Sequence, residues 1–332
     1  MKNKLKKYAS FLLILTLVFC FVGCGSKKSN DSNSKSYDGT VKLGFTTWIG
    51  YAPLFVAKEK GLFKKNGAEV DIQIIESAGD IKAAAIAKRI DGFANTIDTV
   101  TMAAGAGLDC VQVLALDTSD GGDGIVANSK YKSLKDLKGK QVALDTTGGP
   151  SLFYFNYLID QEGLTMDDFD VKNMSSGDAG SAFAGGSVDA AVTWEPWLSK
   201  AKESDFGTVL RSSDEDPGVI ADTLCFNKEF IKKYPDTVQA IVDSWFDALD
   251  YIKKNPEESY KIMADSQGMT VDDFKEQLNC VTYYDKDKNN EYFGNKEINE
   301  IVKQASDLWV KLKFIDKNID ADSIIDESFV TK

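Results

Sequence analysis

The chain has 332 residues, with 39 lysines and arginines against 51 aspartates and glutamates, a formal net charge of −12, and no histidine. This balance, without a local basic patch, argues against nucleic acid as a partner. The absence of histidine excludes Ser-His-Asp and Cys-His catalysis, His-ligated zinc and any histidine proton transfer.

The first segment is an export signal by composition. Lys2, Lys4, Lys6 and Lys7 precede Tyr8–Val22, which is almost purely apolar and shorter than the roughly 20 residues of a spanning helix. Gly23 then stands directly before Cys24. The stretch Leu17–Gly25 resembles a bacterial lipoprotein signal, which implies cleavage before Cys24 and lipid on its sulfur. Residues 1–23 are therefore expected to be a signal peptide. Residues 24–40, rich in Ser, Lys and Asn, are read as a lipid-anchored flexible tether reaching roughly 20–25 Å. The expected location is the outer face of the cell membrane. Cys110, Cys225 and Cys280 fit no metal motif and read as small buried hydrophobes; their pairing is left open.

From Val41 strands alternate with helices. Val41–Thr46 reads as a strand, Pro53–Lys65 as a helix, Val70–Ile75 as a strand and Asp80–Arg89 as a helix. Gly92–Thr96 is a strand, Asp98–Ala106 a helix, and Val111–Asp117 a strand. A second set then begins: strands at Gln141–Asp145, Asp170–Met174, Val188–Thr193 and Thr208–Arg211, with helices at Ser151–Glu162, Gly177–Gly185 and Glu195–Ser204. Beyond Val219–Asn227 the chain reads as helical to its end. Such alternation predicts mostly parallel sheets. Two extended crossings, near Gly122–Ala127 and Val219–Phe226, predict two α/β lobes joined by a two-strand hinge. Lobe 1 is expected over 41–121 plus 222–332, and lobe 2 over 122–221. Ligands of open α/β sheets sit beyond the carboxyl ends of the strands, here between the lobes.

Candidate ligand contacts follow from that placement. Trp48 and Tyr51 lie in the turn after the first strand and read as cleft walls. Trp194 ends a strand and suits stacking or a cation; Glu195 either accepts from a cationic group or favours a helix N-terminus. Thr146, Thr147, Gly148 and Ser151 precede a helix and form a plausible oxyanion cradle. Thr96 and Asp98 form the matching loop of the first set, with an N-cap as the commoner role for Asp98. Asp117, Asp123 and Asp222 lie near the crossings, as hinge turns or contacts to a cation. The run Asp117–Gly124 lacks the spacing and terminal Glu of a calcium loop, so no metal and no cofactor is expected.

The stretch Thr46–Phe63 (TTWIGYAPLFVAKEKGLF) resembles the opening motif of nitrate/sulfonate/taurine-type substrate-binding proteins of ABC importers. Asp123–Val126, Leu134–Lys140 and Gly186–Trp197 are similar to later motifs of that family in the same order. The resemblance implies a type II periplasmic-binding-protein-like fold and a monomer that carries a small molecule to a membrane permease with its ATPase subunit. It implies a carrier, not an enzyme: the related fungal pyrimidine synthases depend on a histidine and a cysteine-rich motif, and this chain has neither. Helix N-termini favour an anion, yet no arginine stands at the cleft loops, so a taurine- or alkanesulfonate-like molecule or another small zwitterion is the expected ligand. A guanidine-like cation, a thiamine-type pyrimidine and a non-transport sensor role are the alternatives.

Overall fold

A computed structural model describes residues 35–331. The expected signal peptide and Cys24 lie outside the described residues. No helix among the described residues is long and apolar enough to cross a membrane.

The first part of the chain forms β1 (Thr40–Phe45), α1 (Ala52–Glu59), α2 (Leu62–Asn66), β2 (Glu69–Ile74), α3 (Ala78–Ile86), β3 (Gly92–Thr96), α4 (Ile97–Gly105) and β4 (Cys110–Ser119). The middle part forms β5 (Asp123–Asn128), β6 (Gln141–Leu144), α5 (Pro150–Gln161), β7 (Asp170–Asn173), α6 (Ser176–Ala184), β8 (Ala190–Trp194), α7 (Trp197–Lys202) and β9 (Gly207–Ser212). The last part forms β10 (Ala221–Asn227), α8 (Lys228–Lys233), α9 (Pro235–Lys254), α10 (Pro256–Gln267), α11 (Val271–Gln277), β11 (Val281–Tyr283), α12 (Lys286–Gly294) and α13 (Glu297–Lys311).

These strands make two sheets, ordered β11-β4-β10-β3-β1-β2 and β7-β6-β8-β5-β9. Neither is mostly parallel, contrary to the sequence expectation. β2, β1 and β3 run parallel, but β10 is antiparallel to both β3 and β4, and β11 is antiparallel to β4. The second sheet repeats the mixture: β7, β6 and β8 are parallel, and β5 is antiparallel to β8 and β9. The reason is connectivity. β5 and β10 enter from the other sheet and skip the helical crossover that would make them parallel to their neighbours.

Local chemistry sets the element ends. Pro53 sits in the first turn of α1 and Pro150 in that of α5, where a missing N–H costs nothing. Gly268, at φ 67°, ends α10 in the left-handed region. In α9 a stripe through Val238, Ile241, Val242, Trp245, Ala248 and Leu249 is buried, which explains why a charged 20-residue helix packs onto α1 and α2. The helical C-terminal part is interrupted by the three-residue β11, which the sequence reading missed. The expected helix at Glu195 begins two residues later, at Trp197.

The stretch read as a tether does not stay free to Thr40. The Tyr37 ring packs edge-on against Phe230 and lies 4.8 Å from the Tyr234 ring. Its backbone N–H donates to Thr237 Oγ1 at 2.7 Å, so the fold begins near Tyr37.

Candidate functional site

Sheet register builds one end of the site. Asp222, second residue of β10, pairs with Thr96 at the end of β3 and with Asp117 near the end of β4. The β10–β4 ladder slips by one residue just beyond Asp222, a bulge of the kind that re-aims side chains. In the second sheet Asp123, which opens β5, pairs with Trp194, which closes β8. A cavity with about 450 Å³ of free space, counting its open mouth, lies between these strand ends. The first sheet's side presents Trp48, Tyr51, Asn95, Thr96 and Asp222 to it; the other side presents Asp123, Asp145, Trp194 and the loop Gly148–Ser151.

Most hydroxyl and indole donors here are already used. Trp48 Nε1 donates to Asp117 Oδ1 at 2.9 Å, and Trp194 Nε1 to the Thr47 carbonyl at 3.3 Å. The Tyr51 hydroxyl donates to Asp222. Thr96 and Thr99 share a hydroxyl hydrogen bond, as do Ser151 and Ser176. Thr147 donates through both N and Oγ1 to Asp145, at 2.8 and 2.6 Å. Gly50 is fixed by this packing, because a Cβ there would lie 2.2 Å from Asp117 Oδ2.

The electrostatics are those of buried, uncompensated acids. Asp98, Asp117, Asp123 and Asp222 are each at most 4% exposed. Burial raises Asp98 and Asp123 to about 7 and Asp117 to about 8, and pushes Asp222 well above the carboxylate range. Mutual repulsion adds to burial for Asp117, Asp123 and Asp222. Asp98 Oδ1 and Asp117 Oδ2 are buried without a hydrogen-bond partner. No group of three or more acids or thiols among the described residues is arranged to hold a metal ion.

The expected site residues divide. Trp48, Tyr51, Thr96, Gly148, Ser151, Trp194 and Asp222 come together on the cavity wall. Asp117 stands behind Trp48. Asp98 lies in the first turn of α4 and accepts from Thr99 Oγ1; Thr96, not Asp98, is the N-cap. Thr146 is half-buried, its N–H on Asn173 Oδ1, and Thr147 is exposed, with its hydroxyl on Asp145; neither lines the cavity, whereas Gly148 and Ser151 do. Glu195 caps α7, accepting from Ser199 N at 3.1 Å and Ser199 Oγ at 2.8 Å, and lines a separate groove with Lys200 and Cys280. Asp145 was missed by the sequence reading. Its signal was an acid directly after a strand, just before Thr-Thr-Gly-Gly.

Two mixed sheets with an aromatic-walled cavity between their strand ends define a small-molecule-binding fold. The chain belongs to the NMT1-like family, whose model matches residues 34–265. A Bacillus subtilis (strain 168) protein, provisionally named as an aliphatic sulfonates-binding protein, is 26% identical over 97% of this chain and 95% of its own length. Among solved structures, the alkanesulfonate-binding protein SsuA of Xanthomonas axonopodis pv. citri, bound to MOPS, superposes with a TM-score of 0.72 at 18% identity, covering 87% of this chain and 98% of that one. The nitrate-binding NrtA of Synechocystis PCC 6803 gives 0.62 at 17% identity, covering 87% and 91%. At these identities the structural likeness shows the fold.

Proposed function

We propose that this chain is the solute-capturing subunit of an ABC importer, held at the outer face of the membrane by lipid on Cys24. It takes up one small polar molecule in the cavity between its sheets. The parts built on each sheet, lobe 1 over 41–121 plus 222–332 and lobe 2 over 122–221, close on the ligand by bending at the two crossings. The closed form then docks on a permease, and a separate ATPase subunit supplies the energy. The observation that carries this reading is the cavity itself: walled by two tryptophans and a tyrosine, and shared by two sheets that two short crossings join in sequence. Family membership and the names of the relatives support the same role.

The test is ligand-induced stabilisation of the full chain in detergent. A ligand that binds only the folded form raises the melting midpoint by mass action. Taurine, alkanesulfonates, nitrate, guanidine, choline and thiamine-type pyrimidines make up the panel. Trp194→Ala is expected to abolish the response to whichever compound acts, scored against the variant's own unliganded midpoint, which falls because the ring is buried. An unchanged response in that variant would move the ligand away from this cavity.

A further inference from the structure

Resting on that reading, we propose that the captured solute presents a positively charged, multi-donor group to Asp222 and Asp123, and that an anionic solute of the same size is rejected.

Three carboxylates on its wall, those of Asp123, Asp145 and Asp222, are each at least 94% buried, and no lysine or arginine joins them there. Asp222 accepts one hydrogen bond, from Tyr51, on Oδ1; its Oδ2 has no protein donor. Asp145 takes both Thr147 donors on Oδ1, which leaves its other oxygen open. No ion pair among the described residues involves Asp98, Asp117, Asp123, Asp145 or Asp222. Buried carboxylates without a counter-charge are costly, so the site is incomplete until protons or a cation arrive.

An anion finds little in return. Both indole N–H groups and the Tyr51 and Thr96 hydroxyls are spent within the protein; what the wall keeps are neutral donors such as the Thr46 hydroxyl and the Asn95 side-chain amide, which carry no charge to balance an anion. The chain has two arginines, Arg89 and Arg211. Arg89 is exposed, and Arg211 is held by Asp216, at 3.1 and 3.0 Å, and by Glu215. No bidentate clamp for a sulfonate is therefore available at the cavity. The start of α5 offers backbone N–H groups, which suit a neutral oxygen or the far end of a zwitterion. Aromatic walls at Trp48, Tyr51 and Trp194 add favourable surroundings for an organic cation. An organic cation also fits better than a bare metal ion, because the acids do not converge as ligands do.

The experiment is calorimetry and thermal melting of the full chain in detergent at pH 7, with four probes of similar size: methylguanidinium, ethanolamine, taurine and propane-1-sulfonate. At 1 mM at least one of the first three is expected to raise the midpoint by about 3 °C or more, and propane-1-sulfonate to leave it unchanged. Binding is expected to release on the order of one proton, read from the dependence of the heat on buffer ionisation. Asp222→Asn should weaken that probe at least tenfold and abolish the proton release. Its unliganded midpoint should not fall, which separates lost binding from lost folding. A shift with propane-1-sulfonate, or a cation bound without proton release and unaffected by Asp222→Asn, overturns the proposal and leaves solute capture standing. No shift with any of the four overturns both for solutes of this size.

Discussion

At the scale of single residues, the unusual feature is acid without base. Asp98, Asp117, Asp123 and Asp222 have folded-state pKa values above their unfolded ones, so the folded chain holds protons that the unfolded chain gives up. Their stabilising contribution is full below about pH 4 and is lost as pH rises through about 7 to 8. They face one another and Glu195, with Tyr51 and the Trp48 N–H as neighbours; no cation is close enough to reverse the sign. Surface acids with lowered pKa, such as Glu229 and Asp285, titrate below this window and leave it undisturbed. The unliganded chain is therefore expected to melt several degrees higher at pH 5.5 than at pH 8, measured by calorimetry in buffers of equal ionic strength. Asp222→Asn should flatten that dependence. A higher midpoint at pH 8 would mean that the acids are compensated in solution.

At the scale of elements, α4 meets the loop before α5 in a tight seam at Met102 and Gly148. Gly148 has φ +129°, a conformation that side chains rarely adopt, and a Cβ there would lie 2.4 Å from Met102 Cε. Gly148→Ala is expected to cost about 1–3 kcal/mol in chemical denaturation, from backbone strain more than from the flexible methionine. Pairing it with Met102→Ala should recover only the steric part. If the double variant regains full stability, the strain is not where the geometry puts it.

Much at this level was legible in the sequence. Strand–helix alternation with Pro and Gly punctuation located the strands of both sheets within a residue or two, apart from β11. The aromatic pair Trp48 and Tyr51 was legible because two large rings in a Gly-containing turn have few places to pack. Strand direction was not legible, because it depends on which sheet the chain arrives from. Nor was the aim of Glu195 and Thr147: a carboxylate at a helix start or a hydroxyl after a strand satisfies local N–H groups and a ligand equally well, and only the packed structure chooses. Three-residue β11 lacks enough alternation to stand out from the helices around it.

At the scale of the molecule, one side chain near the end of the sequence holds distant parts together. Trp309 on α13 is fully buried, donates from Nε1 to the Asp98 carbonyl at 2.9 Å, and packs 5.5 Å from the Phe153 ring of α5. It thus joins the first turn of α4, beneath the cavity, to the helix whose start forms the cavity's far wall. Trp309→Ala is expected to cost about 3–5 kcal/mol in urea unfolding, and Trp309→Phe less, since it loses mainly the hydrogen bond. Equal losses in the two variants would show that the hydrogen bond, not the packing, is what matters.

The position of the acids has a mechanical consequence. Asp123 is the first residue of β5 after the outbound crossing, and Asp222 the second residue of β10 after the return. If the crossings are the pivot, the like charges sit just beyond it, one on each sheet, and act as a compressed spring. Ionised and empty, they push the jaws apart; a proton or a cation releases the load and lets the jaws meet. Small-angle scattering of the empty protein should accordingly show a radius of gyration that grows from pH 5.5 to pH 8, and shrinks again when a cationic solute is added at the higher pH. The same groups that recognise the cargo would then also reopen the carrier once the cargo has left.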